Sequence, residues 1–153
     1  RRGIRANDPL LRRHLYPEPR LALGQWLAEK RLATAMMDIS DGLSTDLARL
    51  CAASGVGARI AAGQIPLGAA SAEARELRRD ALELALHGGE DYELLFTARK
   101  GQEIPPAYRG VPLTAIGEIT AKREIVLAGR DGKTAALRAG GWDPFARSRS
   151  GRS

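Results

Sequence analysis

Apolar residues recur along this chain at two spacings. Leu23, Trp26 and Leu27 fall on one face of a helix over residues 20–30. Leu43, Leu47, Leu50 and Cys51 follow i, i+4, i+7, i+8 and predict a helix over 42–54, ended by Ser54-Gly55. Residues 71–86 carry the same spacing without interruption up to Gly88-Gly89, and Asn7 with Pro9 opens a short helix over 7–15. Tyr16-Pro17-Glu18-Pro19 ends that first helix, because two prolines in three residues cannot continue it. Shorter apolar runs predict strands at 33–39, 56–61, 92–98, 113–120, 124–127 and 133–138. The first reads as a buried strand with Asp38 at its tip, and Asp131-Gly132 reads as a hairpin turn between the last two. Mixed strands and helices ending in a hairpin predict an α+β fold, a mixed β-sheet packed with helices. The expected organisation is an N-terminal helical segment over 1–15, one α+β domain over 16–146, and a disordered Arg/Ser tail over 147–153.

Composition narrows the functional classes. The chain has 153 residues, room for one compact domain. Its net charge of +6 suggests a nucleic-acid partner, but the excess sits at the ends. Residues 14–146 hold sixteen basic against seventeen acidic residues and no basic strip interleaved with aromatics, so a nucleic-acid partner is not expected. Twenty of the 24 basic residues are Arg, which with 26 Ala reads as coding bias. The single cysteine, Cys51, lies on an apolar helix face and reads as a small core residue, which suits a reducing compartment. No segment has the length of a membrane span and none resembles an export signal, so a cytoplasmic protein is expected.

Candidate chemistry concentrates in two acidic motifs. In Met37-Asp38-Ile39-Ser40-Asp41-Gly42, two carboxylates and a hydroxyl sit where a strand gives way to a helix. Amide N–H groups at the helix start suit a phosphate, and the carboxylates suit a hard cation such as Mg²⁺. Ser40 or Asp41 serving simply as a helix cap is the alternative. In His87-Gly88-Gly89-Glu90-Asp91-Tyr92-Glu93, paired glycines permit a tight turn and a close ligand, and Glu90 suits a cationic group or a sugar hydroxyl. A helix C-cap followed by solvated acids fits that stretch equally. The order of acids is wrong for a diguanylate cyclase signature. Gly55-Val56-Gly57 lacks the third glycine of a dinucleotide fingerprint. His14 and His87 are too few and too isolated for a His-based metal site, and Ser40 has no visible triad partners.

Taken together, Met37-Asp38-Ile39-Ser40-Asp41-Gly42-Leu43, Ala53-Ser54-Gly55-Val56-Gly57-Ala58, Leu86-His87-Gly88-Gly89-Glu90-Asp91-Tyr92-Glu93-Leu94-Leu95-Phe96-Thr97, Ile116-Gly117-Glu118-Ile119 and Gly141-Trp142-Asp143-Pro144-Phe145 resemble the thiamine-monophosphate kinase family. The resemblance runs through nearly the whole chain, including Tyr16-Pro17-Glu18-Pro19-Arg20, and covers only the C-terminal half of that enzyme. It implies the C-terminal domain fold of the aminoimidazole-ribonucleotide synthetase-like superfamily and transfer of a phosphoryl group from ATP to thiamine monophosphate with Mg²⁺. It further implies Asp38 and Asp41 as metal ligands, Ser40 as an ATP contact, and Glu90 and Trp142 as substrate contacts, although Trp142 also fits a plug at the core edge. An N-terminal domain that completes the site and a homodimeric full-length enzyme are implied partners, and the chain alone is expected to be inactive. Residues 100–106 are abbreviated and Pro-rich where the family leads one to expect a helix. Other members of the superfamily, such as a selenophosphate or purine-pathway synthetase, are the neighbouring alternative, and a stand-alone basic nucleic-acid module the distant one.

Overall fold

A computed structural model describes residues 19–68, 80–89 and 92–140. The expected helix over 7–15, the tail over 147–153, and Glu90 and Trp142 lie outside these residues. In chain order the elements are α1 (Leu21–Glu29), β1 (Ala35–Asp38), α2 (Leu43–Ser54), β2 (Gly57–Ala61), a 3-10 turn (Ala62–Gln64), α3 (Ala81–His87), β3 (Leu94–Thr97), β4 (Ala107–Tyr108), β5 (Val111–Pro112), β6 (Gly117–Thr120), β7 (Ile125–Ala128) and β8 (Thr134–Ala136).

The strands form three sheets among the described residues. The largest has the order β6-β2-β7-β8, with β2 parallel to β7 and antiparallel to β6. It is therefore mixed, as expected. β7 and β8 pair antiparallel across Asp131-Gly132, where Gly129 N donates to the Lys133 carbonyl at 2.8 Å. β1 pairs with β3 in a separate two-stranded sheet, and β4 pairs with β5 around Arg109-Gly110. Both turn residues there have positive φ, 47° and 81°, the geometry whose twist matches a two-residue hairpin. Residues 100–106, where the family resemblance leads one to expect a helix, form none and lead into this hairpin, whose Tyr108 ring stacks on Trp26 of α1 with centroids 4.4 Å apart.

The core is built around α2. Leu43, Leu47 and Cys51 meet Ala58 and Ile60 of β2, Leu86 of α3 and Leu95 of β3, which is the face the spacing predicts. α2 ends at Gly55 in the left-handed conformation (φ 66°). Two expectations need correction. β1 is not a buried strand: Met36 and Asp38 are exposed, because β1 has a single partner strand and one open face among the described residues. Nor is 71–86 one uninterrupted helix. Asp80 is extended (φ −73°, ψ 128°) and its carboxylate accepts from Leu82 N and Glu83 N, so α3 starts at Ala81 behind a side-chain cap, while residues 71–79 lie outside the described residues.

Candidate functional site

The β1–β3 ladder brings the two acidic motifs together. Asp38 is the last residue of β1 and is in register with Leu94. Beyond it the pairing continues, with Ile39 N donating to the Glu93 carbonyl at 2.8 Å and Tyr92 N to the Ile39 carbonyl at 2.9 Å. Motifs some fifty positions apart in the chain thus leave the sheet side by side. Their loops then touch through glycines. Gly42 has φ +105°, and a Cβ there would lie 2.9 Å from the Gly88 carbonyl oxygen; a Cβ on Gly89 would lie 2.7 Å from the Ser40 carbonyl oxygen. Glycine is needed at both places because the two backbones are in contact.

The start of α2 differs from the capping expectation for it. Its N-cap is Gly42, with no side-chain cap, so neither Ser40 nor Asp41 caps the helix. The amides of Ser40 and Asp41, which precede the helix, turn inward. Both donate to Oδ2 of Asp46, at 3.0 and 2.9 Å, and Asp46 is wholly buried in the first turn of α2. Oδ1 of Asp46 accepts from Arg49 Nη1 at 2.8 Å, and the same guanidinium nitrogen contacts Asp41 Oδ2. The hydrogen bond to Asp41 is the main influence holding the Arg49 guanidinium above its ordinary pKa.

A second polar link joins three segments. Ser44 Oγ lies 2.8 Å from His87 Nδ1 and accepts from Gly140 N at 3.2 Å, while His87 Nε2 faces Glu83 at 3.6 Å. The chain leading to Trp142 is thereby tied to α2 and to the end of α3. Arg20, from the Pro-rich lead-in, reaches both carboxylate oxygens of Glu93, at 2.8 and 2.6 Å.

Of the residues singled out from sequence, the fold brings Asp38, Ser40 and Asp41 into one strand-to-helix loop. Asp38 is exposed, and the Ser40 residue and the Asp41 side chain are partly buried. Glu90 and Trp142 lie outside the described residues, one position after Gly89 and two after Gly140 in the sequence. Among the described residues no three or more His, Cys, Asp or Glu side chains gather as a metal cage. Two carboxylates are nonetheless a donor set that fits Mg²⁺, which draws most of its shell from water and phosphate oxygens. Cys51 is 2 % exposed and its thiol is pushed up by burial, which agrees with a packing role. No described helix is long and apolar enough to cross a membrane.

Sequence reasoning missed Asp46, Arg49 and the Ser44–His87 pair. A signal for the first was present: Asp46 lies within the stripe of Leu43, Leu47 and Leu50, where a charged residue is out of place unless something pairs with it. No local signal joins Ser44 to His87, 43 residues apart.

Comparison with known proteins agrees with this arrangement. The thiamine-monophosphate kinase of Escherichia coli K12 is 42% identical over 143 residues, covering 91% of this chain and 43% of that protein. A solved structure described as AaThiL complexed with AMPPCP and TMP shares the fold with a TM-score of 0.75 and 31% identity, covering 95% of this chain and 44% of that one. Thiamine-monophosphate kinase from Stenotrophomonas maltophilia K279a follows at a TM-score of 0.63 and 38% identity, over 81% of this chain and 39% of that one. The chain thus spans less than half the length of the relatives it matches. Residues 2–130 match the family described as AIR synthase related protein, C-terminal domain, and the chain belongs to that family.

Proposed function

We propose that this chain acts as the C-terminal half of a thiamine-monophosphate kinase, which transfers the γ-phosphoryl group of ATP to thiamine monophosphate and yields thiamine diphosphate and ADP. The observation that carries the reading is the backbone contact between the two motifs, Gly42 on Gly88 and Gly89 on Ser40, in a chain 42% identical to such a kinase. The bound AMPPCP and TMP of a structural neighbour support a nucleotide and a phosphorylated acceptor as substrates.

Phosphoryl transfer needs positioning and charge neutralisation and no protein nucleophile, which suits a corner built from carboxylates and a hydroxyl. When bound, Mg²⁺ supplies the neutralising charge at the phosphate oxygens. Asp38 and Asp41 are the oxygen donors this chain offers to it, with Ser40 as a hydroxyl contact to ATP. Glu90 and Trp142 hold the acceptor, a carboxylate and an aromatic face being suited to a thiazolium cation. The rest of the site comes from an N-terminal domain in a dimeric, cytoplasmic enzyme, and this chain alone does not turn over.

The test gives the full-length enzyme ATP, Mg²⁺ and a panel of acceptors: thiamine monophosphate, thiamine, selenide and a purine-pathway ribonucleotide. Thiamine monophosphate is expected to be the preferred acceptor by at least about a hundredfold in kcat/KM, which corresponds to some 2.7 kcal/mol of discrimination. Equal use of another acceptor overturns the substrate assignment, and turnover by the 153-residue chain alone overturns its role as a half-enzyme.

A further inference from the structure

A buried carboxylate is costly unless its oxygens are all used, and α2 needs none for its own cap. Asp46 is nevertheless fully buried, and its carboxylate bonds to the Ser40–Asp41 loop and to Arg49. Its two oxygens divide the work. Oδ2 takes the amides of Ser40 and Asp41, which turns both N–H groups inward. Oδ1 holds one face of Arg49, a side chain that is half exposed, and the held guanidinium rests on the Asp41 carboxylate.

We propose that Asp46 is a positioning residue that prepares Asp41 for a divalent cation from two sides: it fixes the Asp41 main chain through Oδ2, and through Oδ1 it seats Arg49 on the Asp41 carboxylate as a resident counter-ion that the incoming cation displaces. This rests on the reading of Asp41 as a cation ligand. The resident guanidinium holds the carboxylate in place before the cation arrives, at the cost of competing with it. Removing Arg49 therefore tightens cation binding, whereas removing Asp46 loosens the loop and weakens it. A purely structural Arg49 would do neither.

The experiment uses the isotopically labelled 153-residue chain and two readouts: hydrogen exchange of the Ser40 and Asp41 amides, and Mn²⁺ affinity measured by electron paramagnetic resonance, with the unfolding midpoint recorded for each variant. Asp46→Ala is expected to speed exchange at both amides by more than about tenfold relative to the α2 interior and to weaken Mn²⁺ binding. Asp46→Asn keeps one oxygen for the two amides and loses the hold on Arg49, so exchange stays near wild type. Arg49→Met is expected to tighten Mn²⁺ binding on the order of tenfold, the scale of removing one charge a few ångströms from a dication near the surface. Arg49→Lys is expected to restore the wild-type value. Unchanged exchange in Asp46→Ala overturns the main-chain half, and unchanged or weaker Mn²⁺ binding in Arg49→Met overturns the counter-ion half. Mn²⁺ binding that is indifferent to Asp41→Asn overturns instead the reading of Asp41 as a ligand, and with it the counter-ion half, while the exchange result still decides the main-chain half.

Discussion

The two ends of α2 bury side chains for different reasons. Its first turn buries three polar residues, Ser44, Thr45 and Asp46, beside the core residue Leu43, and Ser44 and Asp46 spend their hydrogen bonds on the loops at the candidate site. Its later turns bury Leu47, Leu50 and Cys51, which pack in the core and make no comparable bonds. Burial alone therefore does not distinguish a residue that holds the fold from one that shapes the site. The polar end is specific in direction, because hydrogen bonds need particular partners at particular angles, and the apolar end is specific only in volume and shape.

Variants at the two ends should separate these roles. The largest effect is expected from Leu47→Ala, which removes a 2 % exposed side chain from the core and should cost about 2–5 kcal/mol in denaturant unfolding. Activity of the full-length enzyme per folded molecule should remain normal; a selective loss of kcat would show that the apolar end also governs the site. Asp41→Asn is the converse. Turnover should fall a hundredfold or more, about 2.7 kcal/mol on the barrier, with stability changed by less than about 1 kcal/mol because the ion pair it loses is partly exposed. Wild-type turnover would remove Asp41 from the site.

Gly42→Ala sits at the junction and should affect both properties. The positive φ costs about 1–3 kcal/mol for a residue with a Cβ, and the added atom pushes on the Gly88 carbonyl. A smaller stability loss unaccompanied by lower activity would mean that the two loops need not touch. The smallest effect concerns Cys51. Burial raises its pKa, so its contribution to stability is whole below the unfolded thiol's value of about 8.5 and is lost as pH rises through the higher folded value. Cys51→Ala should flatten that part of the stability profile measured between pH 7 and 10, and an unchanged slope would assign the alkaline loss to other groups.

Periodicity made the core face of α2, the strand carrying Asp38, and the β7–β8 hairpin legible, because each depends on neighbours within a few residues. It failed where the deciding partner was distant. The openness of β1 depends on which strands flank it, and the start of α3 at Ala81 turned on one carboxylate, Asp80, capping the helix within an apolar stripe that runs on before it in the sequence. The β4–β5 hairpin left almost no pattern, having two residues in each strand.

The order of residues by itself determined the α+β character of this chain, the helix that forms its core, and the two acidic motifs that point to phosphoryl chemistry. Only the tertiary structure decided that those motifs meet, glycine against carbonyl, and that the loop amides turn inward onto Asp46. The physical reason is range. Hydrophobic spacing and turn chemistry act between near neighbours, while the Gly42–Gly88, Gly89–Ser40 and Ser44–His87 contacts join residues more than forty positions apart, and only the pairing of β1 with β3 and the packing of α2 on α3 bring them within reach.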